Sequence, residues 1–136
     1  TQAIMWSRLY SVVDRLIGLL SAKEWNNGSS YWDRSLIYFA SEFGRTRKRP
    51  AEATQFSSGH DLNNGCVILS PMIHGNRMYG GVDPNTTLTY GFDPISGDPT
   101  PGSTMSETQI YSALIDILKV DLQGHILPTV TALSSS

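Results

Sequence analysis

Cysteine, charge and long apolar runs are all scarce in this sequence of 136 residues, and each shortage removes a class of protein. The single cysteine, Cys66, has no partner for an internal bridge, so a disulfide-stapled scaffold is excluded. Twelve glycines without a three-residue period exclude a collagen-like chain. Charged residues make up 16%, where about 25% is usual, and the formal net charge of −2 supplies no overall field for nucleic acid. No apolar run approaches the roughly 20 residues that span a bilayer. Thr1-Gln2-Ala3 carries neither an initiator Met nor the charged start of a signal peptide, which reads as a processed, truncated or incomplete chain. Glycine-rich phosphate loops, dinucleotide fingerprints and nucleophile elbows are missing as well. The nucleophile of any reaction therefore comes from elsewhere or from metal-activated water.

What is present is organised. Ser and Thr number 28, a balance that with the low charge leans towards a periplasmic or secreted protein. Met5, Leu9, Val12, Val13, Leu16, Ile17 and Leu20 recur every three or four positions, with Arg8, Asp14 and Arg15 on other faces, predicting an amphipathic helix. It should end before the Asn26-Asn27-Gly28 turn signal. Ser35 to Ala40 is apolar on both faces, the pattern of a strand buried in a parallel sheet, and helix followed by such a strand predicts an α/β fold. A polar stretch from Arg47 to Gly65 reads as a loop, and Cys66 to Leu69 as a second strand, with Cys66 itself a small buried hydrophobe. From Gly75 to Gly102 turn residues dominate, with one hairpin involving Leu88 to Phe92. Ser106-Glu107-Thr108-Gln109 has capping-box spacing and opens a helix whose buried face is Ile110, Leu114, Ile117 and Leu118. Beyond Gly124 the sequence predicts a frayed, Ser-rich tail.

Three places carry candidate chemistry. Glu42 directly follows the expected buried strand, where a carboxylate is well placed for a metal or a proton; its plainer role is a loop ion pair with Arg45. His60-Asp61 closes the polar loop, and imidazole and carboxylate are ordinary ligands for zinc or similar ions, although an adjacent surface pair is the commoner outcome. Arg45, Arg47, Lys48 and Arg49 gather four of the ten basic residues. Such a cluster suits phosphate, sulfate or a nucleic-acid backbone, but no aromatic stripe accompanies it, so a nucleic acid ranks last among partners. His74, His125 and Arg77 stand alone and read as structural.

The order of these features resembles a known family. Ser41-Glu42-Phe43-Gly44-Arg45-Thr46, a polar loop, Gly59-His60-Asp61-Leu62-Asn63-Asn64-Gly65, a short strand and Tyr79-Gly80 are similar to the bacterial proteins grouped as domain of unknown function 1501. Those proteins are usually exported and belong to the sulfatase-like branch of the alkaline phosphatase superfamily. The Asp93-Pro94 to Gly97 turn and the Ser106 to Leu114 helix resemble the family's closing segment. The resemblance implies that residues 1–124 form the carboxyl-terminal portion of a three-layer α/β sandwich with a mostly parallel sheet, followed by a tail, 125–136. It implies a partner too: the missing amino-terminal part of the same protein, or another subunit. The implied activity is metal-dependent hydrolysis of phosphate or sulfate esters, using zinc, calcium or magnesium. Glu42 and Asp61 would lie at the metal and Arg45 at the anion, with His60 as a further ligand only if the loop backbone differs from the family's. Where the family carries a histidine after the aspartate, this chain has Leu62, which cannot bind metal. That departure favours the alternative of an exported, non-catalytic structural or binding protein.

Overall fold

The computed structural model describes residues 2–41, 44–45, 60–61 and 64–135; of Arg45, His60 and Asp61 it describes the backbone. The first helix, α1, runs Gln2–Ala22 and contains the whole predicted periodic stretch. Only Val13 is buried in it, with Ile17 and Leu20 half-buried. Among the described residues, no helix is long and apolar enough to cross a membrane. Strands β1 (Glu24–Asn26) and β2 (Ser29–Ser30) follow as a small antiparallel pair. The turn signal read from Asn26-Asn27-Gly28 works as expected: Asn27 and Gly28 take positive φ values of 48° and 82°, which a two-residue hairpin with right-handed twist requires. A 3-10 turn, Trp32–Arg34, is fastened to this hairpin by Asp33, whose carboxylate accepts the Ser30 backbone N–H at 2.6 Å and its hydroxyl at 2.9 Å. Trp25 meets Tyr31 edge-on at 5.1 Å and stacks under Arg34 at 5.7 Å. α1 rests on β2 and the 3-10 turn.

The strand expected from Ser35 to Ala40 is β3, Ile37–Ala40. Two-residue strands β4 (Gly44–Arg45) and β5 (His60–Asp61) come next, then β6 (Cys66–Leu69), β7 (Gly81–Val82) and β8 (Thr89–Tyr90). The pairs are β3 with β6, β4 with β5, and β7 with β8, all antiparallel. The expected carboxyl-terminal portion of a three-layer α/β sandwich with a mostly parallel sheet is therefore wrong. The described strands form four separate two-stranded antiparallel sheets. The physical reason lies in the connection. A parallel neighbour needs a crossover, usually helical, and among the described residues between β3 and β6 there is only the short antiparallel pair β4–β5. Apolar residues on both faces of β3 suggested a fully buried strand, yet Ile37, Tyr38 and Phe39 are only half-buried and Ala40 is exposed.

The core sits in the second half of the chain. Phe92, Ala113, Ile117, Val130, Ala132 and Leu133 are buried together, with Leu36, Ile68, Met72, Ile73, Tyr79 and Met105 packed around them. Helix α2, Glu107–Ile117, supplies two of these residues and begins with the predicted capping box. Ser106 Oγ accepts the Gln109 N–H at 3.3 Å while Gln109 Oε1 accepts the Ser106 N–H at 2.9 Å. The expected buried face is shifted: Ala113 and Ile117 are buried, Ile110 and Leu114 are half-buried, and Leu118 is exposed as the helix's C-terminal cap.

The expected frayed tail instead completes this core. Thr131 and Ala132 both donate their backbone N–H to the Pro94 carbonyl, at 2.9 and 3.0 Å. The His74 N–H donates to Leu133 and the Ser135 N–H to Met72. The Tyr79 hydroxyl lies 3.2 Å from the carbonyl oxygens of both His74 and Ala132, and its ring packs on Phe92 at 5.2 Å. Beside it, Gly80 has φ of 72°, and a Cβ there would collide with the Tyr90 carbonyl oxygen, so both conformation and space demand glycine. The β7–β8 hairpin bears out the turn-and-hairpin reading of this segment.

Candidate functional site

Three of the candidate residues, Arg45, His60 and Asp61, lie in the β4–β5 pair, which follows in sequence the ribbon of β3 and β6. That ribbon's register runs Ile37 opposite Leu69, Tyr38 opposite Ile68, Phe39 opposite Val67 and Ala40 opposite Cys66. Continued without interruption, that register would set Leu62 opposite Gly44. The observed partner of Gly44 is Asp61, and Arg45 stands opposite His60. The register of the β4–β5 pair thus differs by one residue from that of the β3–β6 pair. This one-residue shift brings Asp61, rather than Leu62, into register with Gly44.

A side-chain clamp holds the ribbon where the shift occurs. Asn64 Nδ2 donates to the Ser41 carbonyl at 2.6 Å and to Ser41 Oγ at 2.8 Å. Ser41 Oγ in turn donates to Asn64 Oδ1 at 3.1 Å, and the same oxygen accepts the Gly65 N–H at 2.8 Å. These bonds tie the residue before Glu42 to a residue just beyond Asp61. In the sequence, Asn64 has no role beyond its place in the polar loop and in the Gly59 to Gly65 motif, and that position is the available signal.

Below the clamp the ribbon is fixed to α2. The Tyr38 ring meets Tyr111 at 6.4 Å in an edge-on contact. Surrounding protein raises the Tyr38 pKa above 10.0, chiefly by desolvation, with Cys66 and Tyr111 adding to the effect. Cys66, expected to be buried, is exposed at the surface. Its thiol is nonetheless shifted above 9.0, because the atoms packed around sulfur desolvate the thiolate more than the Tyr38 hydrogen bond favours it. A raised thiol pKa disfavours the nucleophilic form, which agrees with reading Cys66 as a non-catalytic residue.

Of the candidate residues, Arg45, His60 and Asp61 are thus brought together along the backbone, and Glu42 lies outside the described residues. So do Arg47, Lys48 and Arg49. Among the described residues, no group of three or more His, Cys, Asp or Glu side chains is placed to hold a metal ion. As a set, Glu42, His60 and Asp61 offer two carboxylates and an imidazole, a donor chemistry that suits zinc and, through the carboxylates, magnesium or calcium. His74 serves the core through its backbone. Two further acids have defined roles in turns: Asp83 accepts the N–H groups of Asn85 and Thr86, and Asp93 those of Ile95 and Ser96, which lowers both carboxyls below 3.8. Two open concavities among the described residues lie away from the ribbon, one lined by Trp25, Tyr31, Arg34 and Ser35 and one between α2 and residues 127–131. No protein family, no curated protein and no solved structure matches this chain.

Proposed function

We propose that the end of the ribbon is a binding site for a phosphate or sulfate ester and a divalent cation, carried by an exported sulfatase-like protein. Arg45 holds the anion, and Asp61 and Glu42 hold the cation, whether zinc, calcium or magnesium, with His60 joining them only where β5 departs from the alternation of a regular strand. The single observation that carries this reading is the register: Gly44 opposite Asp61 and Arg45 opposite His60, although about fifteen positions separate the strands in sequence. Two segments that share no sequence neighbourhood, each selected for its chemistry, occupy adjoining positions. The proposal concerns this site alone and does not revive the parallel sandwich.

Each residue type has a reason to be there. A guanidinium offers a planar fork of donors that matches two oxygens of a phosphate or sulfate group. Carboxylates and an imidazole supply the hard and intermediate donors that a divalent ion requires. When bound, such an ion polarises an ester oxygen and offsets its charge. Hydrolysis further requires a nucleophile, which this sequence does not present in any recognisable pattern. It comes from the amino-terminal part of the same protein or from another subunit.

A second reading, an exported binding or structural protein without catalysis, is favoured by Leu62 at the position where the resemblance calls for histidine. Metal content of the purified native protein separates the two, measured for the parent and for Glu42→Ala and Asp61→Ala. The site reading predicts stoichiometric metal in the parent and its loss in both variants. A folded, metal-free parent supports the non-catalytic reading instead.

A further inference from the structure

The sequence contains Asn-Asn-Gly twice, at Asn26-Asn27-Gly28 and at Asn63-Asn64-Gly65, and the fold gives the two Asn-Gly pairs opposite surroundings. Asparagine followed by glycine can close on itself, because the glycine nitrogen, with no Cβ beside it, reaches the amide carbon of the asparagine side chain. Whether a given pair reacts depends on the freedom of that amide and on what the nitrogen's proton faces.

Asn64 is held. Its Nδ2 donates to the Ser41 carbonyl and Oγ at 2.6 and 2.8 Å, and its Oδ1 accepts the Ser41 hydroxyl at 3.1 Å and the Gly65 N–H at 2.8 Å. Ring closure there has to turn the amide plane out of these bonds, and each of them resists. Asn27 is the opposite case. It is exposed, and its side chain makes no hydrogen bond among the described residues. With Gly28 it forms the tip of the β1–β2 hairpin, where, among the described residues, a Cβ built on Gly28 would meet nothing within 4 Å. The approach to the Gly28 nitrogen is therefore open. Its N–H donates to Glu24 Oε1 at 3.1 Å, the reach from which a carboxylate takes up a proton.

We propose that Asn27-Gly28 is a self-modifying site with Glu24 as its general base. The Gly28 nitrogen bonds to Asn27 Cγ as its proton passes to Glu24. The Cγ–Nδ2 bond breaks and Nδ2 leaves as ammonia with that proton, so a five-membered succinimide remains and Glu24 is regenerated. Water then opens the ring at one of its two carbonyls, leaving aspartate or isoaspartate, with no oxidant or reductant consumed. Isoaspartate lengthens the backbone by a methylene at the point where the hairpin relies on two successive positive φ values. It thereby opens the β1–β2 pair, whose second strand contacts both α1 and the 3-10 turn. The site lies apart from the ribbon and does not rest on its reading.

The test is incubation of the whole folded chain at neutral pH, followed by peptide mapping in a mass spectrometer, which reads each asparagine separately. Asn27 should convert at least about tenfold faster than Asn64, a difference of about 1.4 kcal/mol in barrier. In urea above the unfolding transition the two rates should converge, because both pairs share Asn-Asn-Gly and the fold alone separates them. Glu24→Gln keeps an acceptor for the Gly28 N–H but no base, and should slow Asn27 several-fold while leaving Asn64 unchanged. Equal rates in the folded chain, a faster Asn64, or a ratio that persists in urea would overturn the proposal. So would a Glu24→Gln chain that converts Asn27 as fast as the parent.

Discussion

Asp93 shows how one side chain organises a distant part of the molecule. Its carboxylate accepts the N–H groups of Ile95 and Ser96 at 2.9 and 2.8 Å, and so fixes the turn that presents the Pro94 carbonyl to Thr131 and Ala132. Because hydrogen bonds to the charged form lower the folded pKa, the carboxylate contributes stability that is fully present above the unfolded value near 3.8 and is lost as pH falls through the lower folded value. Asp83 is held in the same manner and titrates in the same window. Thermal midpoints measured from pH 6 down to pH 2 should stay level above about pH 4 and fall below it. In Asp93→Asn the amide oxygen still accepts a hydrogen bond but cannot protonate, so the acid limb should be shallower. An acid limb identical to the parent's would show that Asp93 does not carry this linkage.

Among the elements, α2 was the most legible in the sequence and the closing segment the least. A capping box announces itself by residue type and spacing, and Ser106 with Gln109 makes both reciprocal bonds. Replacing Ser106 by Ala should cost about 1 kcal/mol. The segment from Val130 to Ser134 has no such local signal. It is short and aperiodic, and its burial depends on Pro94, His74 and Met72, which lie far away in sequence. Leu133 is only 5% exposed, and its truncation to Ala should cost about 2–4 kcal/mol, more than loss of the helix cap. Urea unfolding of the two variants tests this order. A larger loss at Ser106 than at Leu133 would mean that the closing segment is not part of the cooperative core.

At the scale of the whole molecule, the sequence made the strands visible but not their partners. Ser35 to Ala40 and Cys66 to Leu69 were readable as strands from their apolar runs, but apolarity on both faces does not distinguish a central parallel strand from half of a two-stranded ribbon. Direction is visible only in the pairing itself, and the one-residue difference in register between the β3–β6 and β4–β5 pairs has no periodic trace at all. The same shift decides the site. Sequence logic selected Arg45, His60 and Asp61 from their chemistry and from a resemblance, while their adjacency came from a register that no spacing rule predicts. α1 is the converse case: its periodicity was plain, yet the pattern did not reveal that most of its apolar residues would be exposed and Val13 alone of the helix buried. Under the proposed function, Gly44, Arg45, His60 and Asp61 form one ligand site. The most direct test is a titration of the isotope-labelled chain with zinc and then inorganic phosphate, followed through its backbone amide resonances. The four amides should move together and saturate together, and Asp61→Ala should remove the response. Shifts confined to His74 or His125, or a response unchanged in Asp61→Ala, would contradict it.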